Sequence, residues 1–135
     1  MALWRTDERF EEVPGWLAEP LEIVIADFQK PTAIDLLVGR DDSGVLWFSE
    51  AGDSGRAGFG TADDGAGSTT PASLVDLAYW LQDQFFTETR GAWGEPRPRC
   101  PGHPHPMVPV VRDNEAWWAC PQHNRAVVRV GDFEG

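Results

Sequence analysis

The chain has 135 residues, 41% of them hydrophobic, and a formal net charge of -11. That length gives room for one ordinary domain, or a small one with a metal-stapled appendix, and the apolar content excludes a globally disordered chain. The charge disfavours nucleic acid and anionic membrane surfaces as partners, because both draw their affinity from Lys and Arg.

The charge is uneven. Residues 1–95 carry 18 acidic and 6 basic side chains, a balance of -12, whereas residues 96–135 carry 4 and 5, a balance of +1. An acidic body is therefore joined to a near-neutral tail, and the body favours a protein partner with a basic surface. Lys30 is the single lysine beside ten arginines, which with the many Ala, Gly and Pro residues points to a GC-rich bacterial genome. The first residues show no basic stretch leading into an apolar run, and no segment approaches the roughly 18 apolar residues of a membrane span. The expectation is a cytoplasmic protein, in which a Cys100–Cys120 disulfide is disfavoured.

In chain order, residues 8–18 form a weak helical segment interrupted by Pro14 and Gly15. Leu21 to Phe28 is rich in β-branched residues and is predicted as a strand. After Pro31, Ala33 to Val38 is a second strand candidate. The turn cluster Asp41-Asp42-Ser43-Gly44 then leads into Val45 to Phe48, a hairpin signal. Residues 51–68 are rich in Gly and Asp and read as a long loop with a short strand at Phe59. Their glycine spacing fits no phosphate-binding pattern, and Asp53, Asp63 and Asp64 would repel an anion. Thr70 as cap and Pro71 as first residue open an amphipathic helix. Its apolar face is Leu74, Leu77, Ala78, Leu81 and Phe85, widened by Val75, Tyr79 and Phe86, and Arg90 and Gly91 supply its end. The fold class expected is α+β: a body over 1–92 with a small antiparallel sheet and one packed amphipathic helix, then a Pro- and Arg-rich linker, then a module over 98–135.

Two matching tetrapeptides mark that module, Cys100-Pro101-Gly102-His103 and Cys120-Pro121-Gln122-His123, with sixteen residues between them. Zinc takes thiolate and imidazole in a tetrahedral shell, and a two-residue gap lets one tight turn present two ligands to one ion. The ligand set expected is Cys100, His103, Cys120 and His123 around one structural Zn2+. Met107 to Val111, a turn at Asp113-Asn114, Glu115 to Ala119 and Arg125 to Val130 add three strand candidates. Knuckle, hairpin, knuckle and strand resemble the zinc-ribbon superfamily over about residues 98–132, though the commonest ribbons use four cysteines. A segment this short rarely folds without a staple, and a structural zinc supplies about 10–16 kcal/mol. His105 offers a fifth donor. A set of Cys100, Cys120 and one of His103 or His105, with water in the fourth position, is the open alternative. The string Cys-Pro-Gly-His-Pro-His-Pro, followed by Trp-Ala-Cys-Pro, also resembles the ends of small actinobacterial proteins, a resemblance that implies no activity.

The functional expectation is a non-enzymatic interaction or adaptor protein. A metal-dependent hydrolase would need an open zinc and a base such as Glu115, and neither His-Glu-x-x-His nor the deaminase layout is present. A nucleic-acid module would rely on Arg97, Arg99, Arg112, Arg125 and Arg129 against the field of the body. Trp117 and Trp118 are adjacent, so on a strand they face opposite sides.

Overall fold

The computed structural model describes residues 3–30, 32–60, 69–89 and 95–135. The elements run β1 (Arg5–Thr6), α1 (Gly15–Phe28), β2 (Leu36–Arg40), β3 (Leu46–Glu50), β4 (Ala57–Phe59), α2 (Pro71–Trp80), β5 (Val108–Arg112), β6 (Glu115–Cys120) and β7 (Arg125–Arg129). Two sheets result, one in the order β1-β2-β3-β4 and one in the order β5-β6-β7. All neighbours are antiparallel except β1, which runs parallel to β2. This is the α+β class expected. No helix among the described residues is long and apolar enough to cross a membrane.

The strand expected at Leu21 to Phe28 is instead the second half of α1, a helix of 14 residues. Its β-branched run, Ile23-Val24-Ile25, suggested a strand. The residues that are fully buried decide otherwise: Leu17, Leu21, Val24, Ile25 and Phe28 recur at intervals of three and four, the period of a helical face. Pro14 sits at the N-cap, where its preset φ of -61° leads into the helix. Pro20 lies inside the helix, early enough to cost only the bond to the carbonyl of Trp16. Trp16 itself is 54% exposed. The molecule thus packs two helices against its sheets rather than one.

The β2–β3 hairpin forms as expected. The Asp41 carboxylate accepts from the amides of Ser43 and Val45 and from the indole N–H of Trp47, and Gly44 takes a φ of 87°. The short strand around Phe59 is β4. Thr70 caps α2 by accepting from the Ser73 amide, and Leu74, Leu77, Ala78 and Leu81 are buried. Tyr79 departs from the expected apolar face and is 58% exposed. Beyond Trp80 the helix widens into a π turn, Leu81–Phe85, then tightens over Phe86–Glu88. The extra residue in that turn lets the adjacent Phe85 and Phe86 both enter the core, at 5.0 Å centroid to centroid. The helix stop expected at Arg90 and Gly91, and residues 61–68 of the glycine-rich segment, lie outside the described residues.

One apolar cluster runs from the inner face of the first sheet (Leu36, Val38, Leu46, Phe48) through both helices to Met107, Trp118 and Cys100. Its junction is aromatic. Phe28 of α1 stacks on Phe86 at 4.6 Å and meets the edge of Trp118 at 5.6 Å. Beside it lies a fully buried carboxylate, Asp27. One Asp27 oxygen accepts from the Trp118 indole N–H at 2.6 Å and the Gly131 amide at 2.6 Å, and the other from the Phe133 amide at 3.1 Å. Burying an indole of about 200 Å2 at about 25 cal/mol/Å2 contributes about 5 kcal/mol. A hydrogen bond nets only about 1. Packing therefore holds Trp118 in place, and Asp27 selects its orientation.

Burial pushes the Asp27 carboxyl above its ordinary range, against the pull of its three donors and of Lys30. The folded state then holds the Asp27 proton more tightly than the unfolded chain. Its contribution is greatest below the unfolded value and declines as pH rises through the folded one. In Asp27→Asn, an amide N–H2 replaces an acceptor and faces a donor, so the variant is expected to lose about 1–3 kcal/mol. The loss relative to wild type should grow as pH falls through the raised folded value toward the ordinary carboxylate range of about 4. Urea midpoints of the two proteins across that range check both the sign and the size.

Candidate metal centre

Three short connections bring the sulfur and nitrogen donors together. The first begins at Arg99, which pairs with Pro106 as an isolated antiparallel bridge. Met107 N–H donates to the Pro98 carbonyl at 2.8 Å, and Cys100 N–H to the His105 carbonyl at 2.9 Å. The chain between them is thereby folded back on itself, which places Cys100, His103 and His105 in one loop. Within it, His103 N–H bonds the Cys100 carbonyl at 3.1 Å, with Pro101 and Gly102 at the turn centre. Gly102 has a φ of 75°, the left-handed conformation that the third residue of a type II turn requires. The second connection, Asp113-Asn114, has φ of 51° and 62° and joins β5 to β6 across the Arg112↔Glu115 pair, a two-residue hairpin with both centres left-handed. The third joins β6 to β7 by four residues, Pro121 to Asn124, with Asn124 left-handed at φ 51° and Cys120 paired to Arg125.

The two C-P-x-H turns therefore differ. Gly102 permits a left-handed step before His103, whereas Gln122 does not take one and the left-handed step falls after His123. His103 turns inward and is partly buried; His123 stays exposed at the loop surface.

His103 Nδ1 lies 3.4 Å from the Cys100 sulfur and 3.5 Å from the Cys120 sulfur. A tetrahedral ion with Zn–S near 2.3 Å and Zn–N near 2.0–2.1 Å sets an S···N edge of about 3.5 Å. Cys100, His103, His105 and Cys120 each place a ligand atom within 4.8 Å of the others, so these four could hold a metal ion. Three of the four expected ligands thus converge. His123 is outside this group of four. Its ring lies 5.3 Å from that of His103, and it lines the same small cavity, of about 60 Å3, with Cys100, His103 and Cys120. The His105 ring stacks on the other neighbour position of His103 at 4.9 Å.

Both cysteines are free thiols and buried. Burial, and then the nearby Cys120, push the Cys100 thiol up. For Cys120, burial acts upward but is outweighed by the amides of His123 and Gln122, the Cys100 sulfur and Arg125, so its thiol is pulled down. The second turn thus aims two backbone N–H groups at one sulfur and favours its thiolate. Two sulfurs and two imidazoles converging on one point suit a borderline-soft cation.

Sequence reasoning did not reach the parts that carry this loop. Gln82, in the π turn after α2, donates to the Arg97 carbonyl at 3.0 Å and to the Met107 carbonyl at 2.6 Å, clamping both ends of the Cys100 loop. The Arg97 guanidinium is buried against the Phe28 carbonyl at the end of α1, at 2.6 Å, and pairs with Glu95 at 3.0 Å. A cation is favourable at a helix C-terminus. Trp118 points into the shared core, and Trp117 faces the other side, half-buried under the Arg129 guanidinium at 5.6 Å. The chain matches no known protein family, no curated protein and no solved structure.

Gln82→Leu keeps the volume and removes both clamps, leaving two carbonyls without their donor. We expect metal affinity to fall about tenfold, as for losses in the shell around a metal site, and stability by about 1–2 kcal/mol. Competition against a chromophoric chelator, with urea unfolding alongside, measures both.

Proposed function

We propose that the C-terminal sheet and its Cys/His cluster form a zinc ribbon with one structural Zn2+, and that the protein is a non-enzymatic interaction or adaptor protein. The observation that carries the zinc reading is the pair of S···N distances from His103 Nδ1, which match the edges of a tetrahedral zinc shell. The two thiols and the imidazoles supply the donor chemistry, and the ion would fasten the Cys100 loop to the β6–β7 turn.

The cavity at the site supports a structural rather than a catalytic ion. At about 60 Å3 it is far below the roughly 300 Å3 at which ligand pockets begin. Closed four-ligand zinc sites are structural, whereas hydrolytic ones keep a position for water. The acidic body supports a partner with a basic surface, and it opposes nucleic acid. Trp117, flanked by Arg129 on the outer face of the ribbon, is an aromatic of the kind that anchors interfaces.

Protein purified without added metal should contain about one equivalent of zinc by elemental analysis. Its cobalt-substituted form should give a tetrahedral d–d spectrum that azide does not shift. An azide shift would mean an open position and would favour a hydrolase. Anisotropy with an arginine-rich peptide and with an oligonucleotide tests the partner class: salt-sensitive binding of the peptide alone is expected.

A further inference from the structure

His105 differs from a surface histidine in one atom. Its Nδ1 lies 3.1 Å from the Pro106 carbonyl oxygen. A carbonyl only accepts, so Nδ1 carries the hydrogen. Nε2 is buried and has no hydrogen-bond partner among the described residues. A second hydrogen there would be a buried donor with nothing to meet, so Nε2 presents a bare lone pair. An imidazole held by a backbone carbonyl at one nitrogen and free at the other is the form that ligates metals. His105 also belongs to the group of four that converge within 4.8 Å.

His123 has the opposite character. It is the third residue of an exposed four-residue turn, and no hydrogen bond holds its ring among the described residues. The ring is nevertheless 5.3 Å from that of His103 and borders the cavity that opens beside both sulfurs. Zinc has no geometric preference from its d electrons and passes through five-coordinate states. His123 is exposed and lines that cavity with both sulfurs, so its imidazole is open to an ion in solvent.

We propose that the centre provides five donors for a four-coordinate ion: His105, through Nε2, is the fourth resident ligand beside Cys100, His103 and Cys120, and His123 is the loading donor. His123 takes the incoming ion, hands it to the inner four, and binds it again as it leaves. The inference rests on the zinc reading above and assigns the imidazoles within it. In loading, two thiols and zinc give two zinc–sulfur bonds, with the thiol protons released to solvent, so the exchange is redox-neutral.

The experiment compares wild type, His105→Ala and His123→Ala. Equilibrium competition against a chromophoric chelator gives affinity, and stopped-flow transfer of zinc to and from that chelator gives rates. His105→Ala should lose about a hundredfold or more in affinity. His123→Ala should keep affinity within about twofold, while loading and release both slow by about tenfold. Should His105→Ala fail to fold, long-range proton–nitrogen correlation on zinc-loaded wild type decides the assignment. Expected is a zinc-shifted His105 Nε2 with a protonated Nδ1, and an unshifted His123. An empty wild-type protein overturns the zinc reading and this inference together. A loaded wild type in which His123→Ala loses zinc and His105→Ala keeps it overturns the assignment alone. Unchanged transfer rates in His123→Ala overturn the loading role.

Discussion

Asp27 brings a carboxylate into an apolar interior, and three N–H groups from the last eighteen residues of the chain meet it there. Two of them are backbone amides just beyond β7, and the third is the indole of Trp118 on β6. A buried carboxylate is expensive to leave without donors, and those donors are equally costly to bury without an acceptor. The pairing therefore fixes how the β5-β6-β7 sheet sits on α1. The aromatic contacts around Phe28 supply most of the attraction, but apolar surfaces can slide, and hydrogen bonds of set direction cannot. Lys30 closes the same corner by donating to the Phe133 carbonyl at 2.6 Å.

Orientation of the C-terminal sheet is in turn what gives the Cys/His cluster its geometry. Cys120 follows Trp118 by two residues on β6, so the docking of the indole places that sulfur. The other sulfur and two of the histidines come from a loop that β6 does not touch through the backbone ladder. Gln82, Arg97 and the Arg99–Pro106 bridge locate this loop instead. Two sets of attachments, one to Asp27 of α1 and one to Phe28 of α1 and Gln82 after α2, converge on a point where sulfur and nitrogen lie 3.4–3.5 Å apart.

Much of this was legible in the sequence because the signals were local. The α2 cap at Thr70 and Pro71, the β2–β3 turn and the three strands β5 to β7 each depend on chemistry within a few residues. The strand expected over Leu21 to Phe28 failed for a tertiary reason. β-branched residues favour strands only weakly, and burial of one helical face against two sheets overrides that preference. Convergence of Cys100, His103 and Cys120 was legible from the repeated C-P-x-H. The difference between the two histidines was not, since it turns on whether the third residue adopts a left-handed backbone, and Gly102 and Gln122 differ there. Asp27, Gln82 and Arg97 were invisible, because their partners are 15 to 106 residues away and no periodicity encodes such pairs.

The Asp27–Trp118 pairing also sets how freely evolution or an engineer can recombine this molecule. A β5-β6-β7 sheet moved to a new host without α1 would bring a bare indole and two unmet amides. They would find an acceptor only if the recipient helix offered a carboxylate at the matching place. Residues 27 and 118 therefore form a compatibility code: exchanges of tail between related chains should succeed where the pair travels together and misassemble where it is split.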